Sequence, residues 1–319
     1  MIRAQGLVKE FSQPHTPALL RAVDGLSFDV EAGEIYGLLG PNGAGKTTAM
    51  RLLSALLRPT AGTATVAGYS IVDQQDQVRE RIGILTEVPG LYARLTPLEY
   101  LDFYAQIYGL DRSTTRAARI EELLRLVGLW DRRRSVMRTF SKGMQQRIAI
   151  ARALIQDPLV LLFDEPTAAL DPEAARSVRD YVRDLADSRH RTVLLCTHNL
   201  PEADELCHRL SIVQGGRQIA EGTPAELRAS TSTTCVLKVR EATPTLVAQL
   251  ARLPAIESVC TDGPGTILFR TRDPSAANPI VVREAVAAGV DVIGLLEVSA
   301  TLEDVYLTFM RKAQEEAEP

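Results

Sequence analysis

The amino-acid sequence predicts an α/β domain built on a parallel β-sheet, followed by a small α+β domain. Short, nearly continuous apolar runs predict the central strands, because strands buried on both faces of a parallel sheet have this composition. These runs are LVLLFDE (159–165), TVLLCTH (192–198) and LSIVQGG (210–216). A fourth run, EIYGLLG (34–40), leads into a Gly-rich turn and then into a helix with a broad apolar face, TTAMRLLSALL (47–57).

Two further parts of the first domain are predicted from segments with other periodicities. IRAQGLVKEF (2–11) and LRAVDGLSFDV (20–30) alternate apolar and polar residues, as half-buried antiparallel strands do. From about residue 95 to 156 the spacing becomes helical, beginning with the capping-box pattern Thr-x-x-Glu. We therefore predict an antiparallel β subdomain and an inserted helical subdomain at about 88–158, within a domain of residues 1–230.

The second domain is predicted to begin after a polar stretch rich in Ser and Thr, RASTSTTC (228–235), which is suited to a linker. Beyond it, the segments follow the order strand, helix, strand, strand, helix, strand, which is the split-βαβ or ferredoxin-like arrangement. We assign residues 231–312 to this domain and expect the acidic tail at 313–319 to be disordered. The domain shows no cluster of catalytic residue types, which favours a regulatory or docking role.

Composition and charge argue against several classes of function. The chain has 319 residues, of which 45% are hydrophobic and 24% charged, as in an ordinary globular protein. A net charge of −4 gives no basic field, so nucleic acid is not an expected partner. The four cysteines lack the paired spacing of zinc sites or disulfide frameworks. No apolar run approaches the ~20 residues that cross a bilayer, and we expect no signal peptide. Any membrane role therefore requires a partner.

The segment GPNGAGKT (40–47) matches the phosphate-binding pattern G-x-x-x-x-G-K-[ST]. It follows a buried strand and opens a helix, where glycines let backbone N–H groups surround phosphates and the helix N-terminus adds partial positive charge. Lys46 is expected to reach the β- and γ-phosphates, and the Thr47 hydroxyl to bind Mg²⁺. The sequence thus predicts a site for a nucleoside triphosphate, formed by Gly40, Pro41, Asn42, Gly43, Ala44, Gly45, Lys46, Thr47 and Thr48.

Acidic and imidazole side chains follow two of the predicted strands. Asp164 ends one apolar run and is expected to hold Mg²⁺ through water. Glu165 beside it is the expected general base for an attacking water, the alternative being that it only caps the next segment. His198 ends the TVLLCTH strand at the same sheet edge, where ligands of such folds bind. A neutral imidazole there can donate a hydrogen bond to a γ-phosphate oxygen.

A second helix start, FSKGMQQR (140–147), contains no acid, histidine or cysteine. Ser141 has the position of an N-cap, and the free N–H groups of such a helix start can hold an anion. With GPNGAGKT, LLFDEPTAALD (161–171) and the terminal His198 in this order, the chain resembles the ATP-binding-cassette (ABC) ATPases. The resemblance covers roughly residues 3–227 and implies a P-loop NTPase cassette with ATP and Mg²⁺.

The family resemblance also implies a role for FSKGMQQR. The corresponding segment of the family is the signature loop, which addresses the ATP held by the other protomer. Two cassettes, as a homodimer or a pair of homologues, are therefore expected to pack head to tail around ATP. Ser141 and Gly143 match the positions that meet the γ-phosphate, and Asp171 matches the inter-protomer loop. Phe11 matches the aromatic residue that stacks on adenine, the alternative being that it packs in the core.

Three positions depart from the family pattern. Lys142 and Met144 stand in the signature loop where Gly and Gln are commonest, and the lysine adds charge near the shared phosphate. Glu87 stands where the family usually has a glutamine that senses Mg²⁺ and the attacking water. A glutamate can still ligate Mg²⁺, but it adds negative charge to the site.

The subfamily is indicated by SKGMQQR, Glu87 and LEDVYL (302–307), which resemble ATPases of bacterial and archaeal drug and lipid exporters. Their membrane domain is usually a separate permease, which implies ATP-driven multidrug or antibiotic efflux from the cytoplasmic face of the membrane. Two alternatives stay open. A soluble cassette ATPase acting on ribosomes or DNA is disfavoured by the single cassette without a coiled-coil insertion. The ATPase of a nutrient importer is disfavoured by the C-terminal extension and by Glu87.

Overall fold

Two units make up the chain in the computed structural model, Met1–Thr223 and Pro224–Pro319. The division falls before the boundary predicted at residue 230, because the helix Pro224–Ala229 packs against the C-terminal helix of the second unit. The structure describes residues 1–12, 19–110, 112–187, 190–298 and 300–315.

Strands and helices alternate along the first unit, which confirms the predicted α/β class. Two of its helices, Gln75–Arg81 and Leu200–Leu206, are too short for apolar spacing to predict them. Its elements are β1 (Ile2–Ser12), β2 (Leu19–Val30), β3 (Ile35–Leu39), α1 (Lys46–Leu53), β4 (Ala61–Val66), β5 (Tyr69–Ser70), α2 (Gln75–Arg81), β6 (Ile82–Leu85), α3 (Pro97–Ile107), α4 (Ser113–Leu126), α5 (Lys142–Ala153), β7 (Val160–Asp164), α6 (Pro172–Asp187), β8 (Thr192–Thr197), α7 (Leu200–Leu206), β9 (Arg209–Gln214) and β10 (Arg217–Gly222).

Six strands form the central sheet of the first unit, in the order β10-β9-β3-β8-β7-β6. All neighbours are parallel except β10, which pairs antiparallel with β9. Every residue of β3, β7 and β8 is buried, as their apolar runs predict. The register pairs Leu39 with Thr197 and Asp164 with Cys196. These three strands therefore end together at one edge of the sheet.

The antiparallel and helical parts of the first unit are both present. Strands β2, β1, β4 and β5 form, in that order, an antiparallel sheet. Between β6 and β7 the chain forms α3, α4 and α5, which are the helical insertion. Helix α3 begins with the predicted capping box, in which Thr96 Oγ1 accepts from the Glu99 N–H at 3.3 Å and the Glu99 carboxylate accepts from the Thr96 N–H at 2.8 Å.

The helical insertion is anchored to the central sheet where α5 ends beside β6. A Cβ atom built on Gly83 of β6 would lie 2.1 Å from the carbonyl oxygen of Ala153, the last residue of α5. It would also lie 2.9 Å from Cδ2 of Leu161 in β7. A residue without Cβ permits this close approach, so Gly83 sets how near the helix lies to the sheet.

The second unit has an apolar core of its own. Its fully buried side chains include Leu237, Phe269 and Val281. Its elements are α8 (Pro224–Ala229), β11 (Thr233–Val239), α9 (Pro244–Leu250), β12 (Ser258–Thr261), β13 (Thr266–Thr271), α10 (Pro274–Ala287), β14 (Val292–Val298) and α11 (Leu302–Glu315).

The four strands of the second unit form an antiparallel sheet in the order β12-β13-β11-β14. This order, together with the βαββαβ succession along the chain, confirms the predicted ferredoxin-like arrangement. Helix α11 continues to Glu315, into the tail that was predicted to be disordered from residue 313. The rest of that tail, residues 316–319, lies outside the described residues.

Replacing Gly83 with alanine is expected to destabilise the first unit. Forcing extra atoms into a packed core costs roughly 1–3 kcal/mol, and the main clash is with backbone, which cannot rotate away. The single tryptophan, Trp130, lies in this unit, so its fluorescence follows the unit's thermal unfolding. We expect the midpoint to fall by roughly 2–10 °C. Adding Leu161→Ala to Gly83→Ala removes the clash with the leucine side chain but leaves the clash with the Ala153 backbone. The double variant should therefore not recover the midpoint. An unchanged midpoint in Gly83→Ala would contradict this packing.

Candidate active site

The central strands of the first unit end at a cleft of about 470 Å³. Its floor is the Gly-rich turn between β3 and α1, and its sides come from the antiparallel sheet and from the loops after β6 and β7. The cleft is lined by Phe11, Leu20, Ala22, Asn42, Gly43, Ala44, Gly45, Lys46, Thr47, Thr48, Arg51, Glu87 and Glu165.

Two glycines of the turn lie where no side chain fits. Gly45 has a φ of 102°, and a Cβ atom on it would lie 2.3 Å from the carbonyl oxygen of Ala22. A Cβ atom on Gly40 would lie 2.3 Å from the carbonyl oxygen of Val213. The turn is thus held against neighbouring backbone at the start of α1. A concave backbone loop at a helix N-terminus is a geometry suited to phosphate.

The ammonium of Lys46 and the hydroxyl of Thr47 are each held by hydrogen bonds. Lys46 is buried, and its Nζ donates to the carbonyl oxygens of Gly40 at 2.7 Å and Pro41 at 3.2 Å. Thr47 Oγ1 donates to Asp164 Oδ2 at 2.8 Å. The other carboxylate oxygen, Asp164 Oδ1, is buried and has no hydrogen-bond partner among the described residues. Burial raises the pKa of the Asp164 carboxyl, against the effect of the Thr47 hydrogen bond.

Glu165 lies at the centre of a group of polar side chains. Its carboxylate oxygen Oε1 is 2.8 Å from His198 Nδ1 and 3.6 Å from Lys46 Nζ. Its other oxygen, Oε2, lies 3.3 Å from Thr197 Oγ1. Glu165 is 8% exposed, whereas the His198 side chain is 54% exposed. A carboxylate held between a cation and an imidazole, at the open face of the sheet, can accept a proton from water.

Phe11 and Glu87 lie at the rim of the same cleft. Phe11 in β1 is 36% exposed, which excludes the alternative that it packs in the core. The Lys9 ammonium lies 5.3 Å from the centre of its ring. Glu87 follows β6 and is exposed, and its charge contributes to the raised pKa of Asp164. The structure therefore brings both residues together with the Gly-rich turn.

The signature-loop residues form a second group, which does not line the cleft. Ser141 is exposed and caps α5, since its Oγ accepts from the Met144 N–H at 3.2 Å. Gly143 is buried against α6, where a Cβ atom would lie 2.6 Å from Cβ of Ala174. Asp171 caps the other helix, because its Oδ1 accepts from the Ala174 N–H at 2.9 Å. The N-termini of α5 and α6 thus lie side by side, with Lys142 also exposed.

Three polar side chains behind the cleft were not predicted as site residues. Thr197, at the end of β8, contacts Glu165, and Glu202 in α7 is 1% exposed. Gln146 in α5 donates through Nε2 to the Pro166 carbonyl oxygen at 2.7 Å. Gln146 lies within FSKGMQQR, and Thr197 is the polar residue before the histidine of TVLLCTH, but neither pattern indicated a role for them; Glu202 lies in no motif. Their significance depends on contacts between distant parts of the chain.

Similarity to known proteins agrees with this geometry. Residues 23–168 match the profile of the ABC transporter family. The daunorubicin/doxorubicin resistance ATP-binding protein DrrA of Streptomyces peucetius is 40% identical over 86% of this chain and 79% of its own length. The Nod factor export ATP-binding protein I of Ralstonia nicotianae is 35% identical over 96% of this chain and 92% of its own length.

A solved structure of a dimeric ATP-binding cassette, in a post-hydrolysis state with ADP and phosphate, is also similar. It superposes with a TM-score of 0.64 and 26% identity, covering 70% of this chain and 98% of that one. No helix within the described ranges is both long and apolar enough to span a bilayer. Because DrrA is 40% identical over 86% of this chain and 79% of its own length, the chain belongs to the ABC transporter family, as an ATPase that binds ATP.

Proposed function

We propose that this chain hydrolyses Mg²⁺-ATP in the cleft and thereby drives an exporter whose membrane-spanning permease is a separate polypeptide. The observation that carries the proposal is the convergence of Lys46, Thr47, Asp164, Glu165 and His198 at one sheet edge. These side chains come from three strand ends, and together they supply a phosphate-facing cation, metal ligands and a base. The proposal assigns the parts of the ATPase reaction, which the family shares, to particular residues of this chain.

Thr47 and Asp164 suit Mg²⁺. The metal prefers hard oxygen ligands and keeps several waters, so one carboxylate and one hydroxyl beside substrate phosphates are enough. The buried, unpartnered Asp164 Oδ1 supports this assignment, because a bound cation or its water would satisfy it. The exposed Glu87 supplies a third oxygen ligand from the loop after β6. Bound Mg²⁺ would neutralise charge on the phosphates during transfer.

The residues around the γ-phosphate divide the chemistry between them. Glu165 orients the attacking water and takes its proton, while the bond from the γ-phosphorus to the oxygen bridging the β-phosphate breaks and ADP leaves. Lys46 and the backbone N–H groups of residues 40–48 bind the phosphates. Nδ1 of His198 contacts Glu165 here, and on binding ATP its exposed ring donates its one hydrogen to a γ-phosphate oxygen instead. Phe11 stacks on adenine at the rim of the cleft.

The second group, Ser141, Gly143 and Asp171, acts on a partner's nucleotide. The exposed Ser141 and the adjoining α5 N-terminus are oriented as an anion-binding helix start, yet they do not line their own cleft. This separation supports a head-to-tail dimer in which each ATP lies between the turn of one cassette and the signature loop of the other. The partner is a second copy or a homologue, and Lys142 adds a positive charge to the shared site.

Export is proposed because the similar proteins are named for drug resistance and for Nod factor export. The chain would then sit at the cytoplasmic face of the membrane, held there by the permease. The second unit is an accessory domain, which regulates the ATPase or docks the complex. Daunorubicin-like drugs and lipid-linked molecules are the cargo classes to test first.

The variant Glu165→Gln is expected to bind ATP normally and to lose turnover. Glutamine has the same shape but cannot take the proton of water, and a general base contributes typically 10²–10⁴-fold to the rate. Steady-state phosphate release and binding of a fluorescent ATP analogue measure the two properties. Lys46→Ala should instead weaken binding by roughly 10- to 100-fold, because a charged hydrogen bond to phosphate is lost. Glu121→Gln, on the surface of α4, is the matched control. Ordinary turnover in Glu165→Gln would remove this residue from its assigned role.

The head-to-tail arrangement predicts that two inactive variants restore activity when they are mixed. Ser141→Arg should bind ATP but fail to close the dimer, because a bulky cation replaces a small hydroxyl. In a mixed dimer with Lys46→Ala, one site combines the intact Gly-rich turn of the Ser141→Arg chain with the intact signature loop of the Lys46→Ala chain. The ATPase activity of the mixture should therefore exceed that of either variant alone. A control dimer with one active site establishes that single-site turnover is possible. If that control is active and mixing restores nothing, Ser141 is only a helix cap, worth ~1 kcal/mol to its own fold.

A chain that ends at residue 223 should bind ATP as tightly as the full chain, within about threefold. Every residue that lines the cleft lies in the first unit. Titration with a fluorescent ATP analogue measures the affinity, and Trp130 fluorescence checks that the shortened chain is folded. A folded but non-binding fragment would show that the second unit belongs to the nucleotide site.

A further inference from the structure

Glu202 is the acid most deeply buried behind the cleft, with 1% of its surface exposed. It lies in α7, four positions after His198. Its Oε1 accepts a hydrogen bond from Thr167 Oγ1 at 2.8 Å, and its Oε2 accepts one from Thr197 Oγ1 at 2.7 Å. A buried acid normally needs such partners, because an unpaired charge in the interior is costly. Both of these partners belong to segments that carry the proposed catalytic residues.

The Thr197 hydroxyl lies between two carboxylates. Its oxygen is 2.7 Å from Glu202 Oε2 and 3.3 Å from Glu165 Oε2, and it accepts from the Asn199 N–H at 3.0 Å. A hydroxyl has a single hydrogen, so a full hydrogen bond goes to one acid at a time. The shorter distance favours Glu202. Donation to Glu202 leaves the Glu165 oxygen free to accept a proton from elsewhere.

The Thr167 contact fixes the loop that follows Glu165. Glu165 has a φ of 49°, in the left-handed region, which a residue with a side chain keeps when its surroundings hold it there. Gln146 holds the next residue through the Pro166 carbonyl oxygen, and Glu202 holds Thr167. The backbone after the base is therefore held from α5 on one side and from α7 on the other.

We propose that Glu202 is a positioning residue for ATP hydrolysis, which orients Glu165 and keeps its carboxylate free by engaging the Thr197 and Thr167 hydroxyls. The inference rests on the proposed role of Glu165 as the general base. Glu202 itself lies behind the cleft and acts only through these hydroxyls. It therefore affects turnover without contributing to the binding of ATP.

The charge environment of Glu202 makes this effect dependent on pH. Burial raises the pKa of Glu202, and the nearby charge of Glu165 raises it further. Hydrogen bonds from Thr197 and Thr167, and the charge of Arg179 on α6, lower the pKa and so oppose this rise. When Glu202 takes up a proton as the pH falls, one of its oxygens becomes a donor. The Thr197 hydrogen can then turn to Glu165, where it competes with the proton of water. Turnover should fall as this happens.

The test replaces Glu202 with glutamine in the full chain, which copies the shape of the protonated acid. We expect kcat to fall about tenfold at pH 8, the KM for ATP to stay within twofold, and the difference in kcat from the unchanged protein to narrow as the pH falls. Binding of a fluorescent ATP analogue should be unaltered. Glu205→Gln is the matched control, because Glu205 is an exposed acid on the same helix, paired with Arg179 and Arg183. It should leave kcat within twofold.

A double variant separates action through Glu165 from a general loosening of the site. If Glu202 acts through Glu165, adding Glu202→Gln to Glu165→Gln should leave the residual single-turnover rate unchanged within twofold. A further tenfold fall there, a kcat loss matched by a rise in KM, or a normal kcat in Glu202→Gln would each overturn the inference. Adding Thr197→Val to Glu202→Gln removes the hydrogen that turns to Glu165, so the double variant should recover most of the kcat lost in Glu202→Gln. Binding of the fluorescent ATP analogue shows whether each variant is folded. Normal turnover in Glu165→Gln would refute the proposed role of Glu165 as the base, whereas an inactive Glu165→Gln beside a normal Glu202→Gln refutes the positioning role of Glu202 alone.

Discussion

The register of three adjacent parallel strands is the constraint on which the active-site cleft depends. Because β3, β8 and β7 end level with one another, the residues that follow them lie at the same sheet edge, although the end of β3 is more than a hundred positions from the ends of β7 and β8 in the chain. A slip of one residue between two strands would reverse the direction of every side chain in the moved strand. Both faces of these strands are buried, so a slip would bring side chains of the wrong size into closely packed surroundings, and the packing of the core therefore also aligns the polar groups.

The polar side chains that are buried where the central strands end affect the stability of the first unit. Lys46, Asp164 and Glu165 are each at least nine-tenths buried, and each has a partner of opposite charge or a hydroxyl close by. Removing one member of such a group leaves another without compensation, and this generally costs more than the pair itself contributes. The proposed catalytic residues are therefore part of the fold's polar interior, and neutral isosteres should disturb them less than truncations do.

How far the sequence predicts the structure depends on the range of the interactions involved. The Gly-rich turn, the acid pair after β7 and the histidine after β8 are short patterns with a local physical meaning, and the structure brings them together. The ferredoxin-like order of the second unit also follows from local periodicity. The contacts of Thr197, Gln146 and Glu202 could not be predicted, because they join positions 20 to 35 residues apart. The short helices α2 and α7 lack enough turns to show a periodicity.

The close contact between Gly143 and Ala174 affects how signature-loop mutants should be interpreted. With 2.6 Å between a built Cβ on Gly143 and Cβ of Ala174, a larger residue at 143 would collide with α6 of its own protomer before it reached any neighbour. Inactivity caused by such a change would therefore be ambiguous, since it reports an internal collision as readily as a lost contact with a partner's nucleotide. Ser141 is exposed, so a substitution at the serine is a more informative test of the proposed dimer interface than one at the glycine.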